Sequence, residues 1–74
     1  MDLPNISILM PIYNRSKFKN LKISNLLRLD YDFNKLEIVI DDDSDTDPLF
    51  KNKDEILNFS KIIHPMKLNY HKNA

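Results

Sequence analysis

An α/β fold with a parallel sheet, in the order strand, helix, strand, helix, strand, is what this 74-residue sequence predicts. Three observations carry that prediction. Two short apolar runs rich in Ile and Leu, "ISILMPIY" at 6–13 and "KLEIVI" at 35–40, are separated by enough chain for a crossover helix. A second helical stretch follows, and then a third apolar run, "KIIHPMKLNY" at 61–70. Alternation of this kind gives parallel strands joined by right-handed crossovers, within one small domain spanning 1–74.

The first run does not alternate cleanly, so it reads as a strand buried on both faces. Pro11 cannot donate to a ladder, so the strand is expected to stop near it and open into the loop "PIYNRS". Ser16 reads as the N-cap of a helix from Lys17 to about Leu29, with Phe18, Leu21, Ile23, Leu26, Leu27 and Leu29 as its apolar face. Residues 30–34 form a turn. In the second strand Leu36, Ile38 and Ile40 share one face, with Glu37 and Val39 on the other. Asp47-Pro48 reads as the next helix start, with Asp capping and Pro in the first helical position, and the helix runs to about Ser60. The third strand is interrupted by Pro65. A three-stranded parallel sheet leaves two open edges, so self-association through them is expected.

Composition narrows the function. With no Cys there is neither a disulfide nor a thiolate metal site. No apolar run approaches the ~20 residues of a membrane span. The start "MDLPNIS" lacks the basic and apolar segments of a signal peptide, so a cytoplasmic location is expected. Net charge is zero, 11 basic against 11 acidic residues. Asp41, Asp42, Asp43, Asp45 and Asp47 crowd into one loop, leaving 11 basic against 6 acidic residues elsewhere. The Lys residues are scattered, with no basic stripe and interleaved aromatics, so no nucleic-acid partner is expected. Gly is absent, which excludes phosphate-cradling loops built on it and leaves turns to Asn, Asp and Pro.

Ligands of open α/β sheets bind at the carboxyl ends of the strands. Two loops fall there, "PIYNRS" and "DDDSDTDP", and on adjacent parallel strands they face each other. "SILMPIYNR", a helix, and "LEIVIDDDSD" at the right separation resemble the N-terminal nucleotide-binding part of a family 2 glycosyltransferase. The likeness covers roughly residues 5–47 well and the remainder weakly. It implies a partial Rossmann-like glycosyltransferase A fold that binds a nucleotide-sugar donor, most often a uridine diphosphate (UDP) sugar. By that resemblance Tyr13 packs on the uracil ring, and the backbone near Pro11 contacts the base. Asp42 accepts a hydrogen bond from the ring N–H, beside Asp41 in the same site and turn. Asn14 and Arg15 shape the loop near the ribose or diphosphate.

The chain departs from the family in two ways. Asp43 stands where the family usually has Gly, a residue that permits φ > 0. The family's later Asp-x-Asp, which holds Mg²⁺ or Mn²⁺ on the diphosphate, and its catalytic base have no counterpart in these residues. "DDD" at 41–43 is not at the family's metal position. The expectation is therefore nucleoside binding without sugar transfer by this chain alone. The acceptor and sugar are not indicated.

Blander readings stand beside these. Tyr13 also reads as a core aromatic, Asp41 and Asp42 as caps of a turn, and Asp45 and Asp47 as solvated or capping residues. His64 and His71 have no partners at ligand spacing. Alternation of Asp41, Asp43, Asp45 and Asp47 resembles a calcium loop. However, the EF-hand needs Gly at position 6 and an acid at position 12, and these fall on Pro48 and Asp54, or on Thr46 and Asn52. A haloacid dehalogenase-type phosphatase matches Asp41 and Asp43 but would have Thr or Val at Asp45. A non-catalytic, truncated remnant is the third alternative.

Overall fold

The computed structural model describes residues 3–73. It is α/β in the predicted order: β1 (Ile6–Ile12), α1 (Lys19–Leu27), β2 (Leu36–Asp42), α2 (Lys53–Ile63) and β3 (Lys67–Lys72). Short 3-10 turns, Ser16–Phe18 and Phe33–Lys35, precede α1 and β2. The strands are parallel in the order β1-β2-β3, with Ile38 between Ile8 and Leu68, and Ile40 between Met10 and Tyr70.

Two right-handed crossovers in the same direction place both helices on one face of the sheet. Leu26 of α1 and Phe59 and Ile63 of α2 accordingly bury against Leu36, Ile38 and Ile40 in a single cluster. Phe50 is held edge-on between Phe59 and Tyr70, with ring centroids 5.1 and 4.8 Å away. Among the described residues no helix covers the opposite face of the sheet, and Leu9 on it is 72% exposed. The expectation that β1 is buried on both faces is thus corrected. β1 is an edge strand of a two-layer structure, and only its alternate residues turn inward. No helix among the described residues is long and apolar enough to cross a membrane.

β1 also runs through Pro11 to Ile12 instead of stopping at the proline. Ile12 offers its carbonyl to the Asp43 amide at 2.9 Å, so residues of its parity bond to β2. Pro11 has the other parity, and its nitrogen faces the free edge, where no ladder bond is lost.

The helix starts move for a common reason. Ser16 does not cap α1; its amide and hydroxyl both donate to Asp47, at 3.2 and 2.5 Å. Asp47 is thereby taken from α2, which begins instead at Asn52. The Asn52 side chain accepts from the Glu55 amide at 3.0 Å, and Glu55 reaches back to the Lys51 amide at 2.8 Å. Leu49 and Phe50 reach the core from the irregular segment before α2. The helix continues to Ile63, so "KII" at 61–63 is helical and β3 starts only at Lys67, past Pro65.

Removing the observed cap gives a first test. Asn52→Ala is expected to cost about 1 kcal/mol of stability in urea unfolding. Pro48→Ala, outside the helix, should stay within about 0.5 kcal/mol.

Candidate functional site

The inward alternation of Leu36, Ile38 and Ile40 continues one step further, to Asp42, whose side chain is fully buried. A carboxylate at the end of an apolar face must find donors on the chain itself. Asp42 finds three. Oδ1 accepts from the Ser44 amide at 3.0 Å, and Oδ2 accepts from the Leu49 amide at 2.8 Å and the Tyr70 hydroxyl at 2.5 Å. Burial pushes its pKa up, but the hydrogen bonds from Ser44, Tyr70 and the Leu49 amide outweigh that effect and hold it below the ordinary carboxylate range. Tyr70 is its mirror image: burial first, then the bond to Asp42 and its negative charge, push the phenol up. The network pins the loop leaving β2, the entrance to α2 and the middle of β3 to one side chain.

Asn14 makes the second junction. It is in the left-handed region, at φ 49°, a conformation that Asn tolerates better than most residues. Its amide donates to the Ser44 hydroxyl at 2.7 Å, and its side-chain nitrogen to Asp45 at 2.8 Å. Its side-chain oxygen accepts from the amides of Thr46 and Asp47, at 3.2 and 3.0 Å. The Tyr13 hydroxyl adds a bond to Asp45 at 3.3 Å. The bond from Asn14 lowers the Asp45 pKa, desolvation opposes it, and the bond from Tyr13 is among the smaller contributions that lower it further. The two loops that the sequence set face to face are therefore laced into one unit.

The expected site residues divide. Tyr13, Asn14 and Arg15 stand together on the first loop; Tyr13 is 59% exposed, and Arg15 lies over the Phe18 ring at 5.7 Å. Pro11 and Arg15 border a cleft of about 390 Å³ between β1 and α1. Asp41 pairs in register with Pro11 but is exposed on the uncovered face, opposite to Asp42. The two aspartates therefore do not share a site. The bond from a uracil N–H to Asp42 also meets an acceptor already enclosed by three donors of the chain. The carboxylate is fully buried, so such a bond requires the chain around it to open first.

Asp43 needs no glycine-like backbone, because Asn14 is the residue with positive φ among those described. Its carboxylate accepts from Asn73 at 2.7 Å, and the Lys72 ammonium bonds the Ser44 carbonyl at 2.6 Å. The acidic side chains are spread over separate partners, and no group of three or more potential metal ligands converges among the described residues. Sequence reasoning passed over Tyr70, Ser44, Lys72 and Asn73. The alternation in β2, carried two residues past Ile40, was the signal that turns Asp42 inward and calls for a donor such as Tyr70 on the next strand.

Comparison of the chain with protein-family models, with curated proteins and with solved structures finds no match.

Two predictions follow from the Asp42 network. Tyr70→Phe keeps the ring and removes one bond to a buried charge, so it should cost about 1.5–3 kcal/mol in urea unfolding, whereas exposed Asp41→Ala should stay within about 0.5 kcal/mol. For pH, the lowered pKa values of Asp42, Asp45 and Glu55 mean that the unfolded chain takes up protons first. Stability is then full above about pH 5 and falls as pH drops below ~4 through the folded values. The raised Tyr70 works oppositely, its contribution being lost above about pH 10. Thermal unfolding between pH 2 and 11 should trace that plateau.

Proposed function

We propose that the chain is the nucleoside-binding front part of a glycosyltransferase of the A fold, taking the uridine of a UDP sugar at its two joined loops. One observation carries the reading. Asn14 fuses the loops at the carboxyl ends of adjacent parallel strands, where open α/β sheets bind ligands, and leaves Tyr13 exposed beside them. Tyr13 is the stacking platform for the base, the backbone near Pro11 meets the base edge, and Arg15 supplies the cation for the diphosphate. Asp42 is given a different part from the one the resemblance implies. It builds the loop, since its oxygens are spent on Ser44, Leu49 and Tyr70. Mg²⁺ or Mn²⁺ belongs to the family's reaction; the acidic loop here is tied to internal donors and is assigned no metal.

The test is an NMR titration with UDP, with and without Mg²⁺, and with Ca²⁺ alone as a control. Saturable shifts at Tyr13, Asn14 and Arg15 are expected, with affinity weakened about fivefold or more by Tyr13→Ala, which removes a stacking contact of about 1–3 kcal/mol. A folded chain that does not respond to UDP overturns the proposal, and a response to Ca²⁺ alone transfers the loop to a cation. No sugar turnover is expected from these 74 residues; measured transfer to any acceptor would contradict that part.

A further inference from the structure

We infer that β1 is a self-pairing edge, through which two copies of the chain join antiparallel into a six-stranded sheet with two-fold symmetry. The backbone sets the frame. Residues of Ile12's parity bond to β2, so Ser7, Leu9 and Pro11 turn their peptide groups to the free edge. From Ile6 to Ile12 the strand carries no charged side chain. Charges, especially Lys, are the usual protection of an edge, and here only Pro11 interrupts it. The other edge, β3, carries Lys67, His71 and Lys72.

Those charges choose among the pairings open to identical copies. β3 against β3 sets lysine against lysine. β1 against β3 leaves a free edge at each end and grows into a fibre. β1 against β1 brings no like charges into register and closes as a dimer.

The surface agrees with that choice. Nine large hydrophobic residues are exposed among those described, and seven lie on β1, its flanks, or α1 and the turn after it, including Ile6, Leu9, Leu21 and Leu27. The other two, Leu57 and Ile62, lie on α2. The cleft between β1 and α1, lined by Ile12, Phe18 and Leu21 among others, runs beside the same edge.

Charge also sets the direction. α1 starts near Arg15, Lys17 and Lys22 at the carboxyl end of β1. It ends at a turn holding Asp30 and Asp32, which the bond from the Tyr31 hydroxyl to the Pro4 carbonyl fastens beside the start of β1. Antiparallel pairing sets the basic end of one copy against the acidic end of the other, and parallel pairing would set like against like. A register centred on Leu9 lets the two Leu9 residues exchange both bonds, while each Ser7 amide reaches the opposing Pro11 carbonyl. It forgoes only the two bonds that a proline nitrogen cannot make.

So few bonds make a small contact, so association is expected in the micromolar to millimolar range. Sedimentation velocity from about 1 μM to 1 mM should show a monomer–dimer equilibrium. Hydrogen exchange at the same concentrations should show protection rising at the Ser7 and Leu9 amides and not at Leu68 or Tyr70 on the β3 edge. Leu9→Lys should abolish the dimer with circular dichroism unchanged, and Leu57→Lys should leave it intact. If Leu9→Lys fails to fold, the exchange data on the unaltered chain decide. A monomer throughout, a dimer that survives Leu9→Lys in the folded state, or larger assemblies with β3 amides protected would each overturn the inference.

Discussion

The fully buried carboxylate of Asp42 is the constraint around which the rest of this structure is arranged. Placing a charge at the end of an apolar strand face costs several kcal/mol unless donors are already in position. The chain supplies them from three directions: the turn at Ser44, the segment entering α2 at Leu49, and Tyr70 on β3. Each donor constrains a different element. The Ser44 amide curls the loop back on its strand, and the Leu49 amide directs Leu49 and Phe50 into the core. Tyr70 fixes β3 in register, and its ring then packs on Phe50. Removing the carboxylate would strand all three donors at once, so its influence reaches well past its own contacts.

The same logic accounts for five aspartates between residues 41 and 47. Four are acceptors for groups elsewhere in the chain: Asp42 as above, Asp43 for Asn73, Asp45 for Tyr13 and Asn14, and Asp47 for Ser16. Among the described residues Asp41 makes no such bond and stands exposed on the uncovered face. In a chain without glycine, tight loop geometry must come from side chains that bond the backbone, and Asp and Asn do this most readily. Asn14 shows the method: one side chain takes two amides of the acidic loop and donates to a third residue, at the cost of a left-handed backbone. Much of the acidity is thus used to build the loop and is not free to bind a cation.

What the sequence discloses and what it hides follow from the range of the interactions. The element order, the inward face of β2 and the meeting of the two loops depend on periodicity and topology, and all are legible. The helix starts are not, because Ser16, Asp47 and Asn52 are all competent caps by residue type. A tertiary bond between Ser16 and Asp47 satisfies those two against each other and leaves Asn52 to cap α2. β1 misleads for a similar reason. Its apolar run suits a doubly covered strand, yet both crossovers put their helices on one side, so half of its residues face outward. Asp42 was legible by parity, but the family likeness draws the eye to it as a ligand contact. Tyr70, 28 residues away, is needed to show that its oxygens are engaged.

That engagement separates two ways in which the proposed nucleoside site would work. If a base N–H bonds Asp42, the chain that encloses the carboxylate, held by Ser44, Leu49 and Tyr70, must open to admit it. Binding would then be linked to loosening of β3 and the α2 entrance, and affinity would be reduced by the stability lost there. If the base instead stacks on Tyr13, the Asp42 network stays closed and the loops are already fixed by Asn14, so little ordering is required on binding. A small two-layered domain has little stability to exchange for affinity. The second arrangement keeps folding and recognition on different side chains, and it is the one that the exposed ring of Tyr13 and the enclosed carboxylate of Asp42 favour.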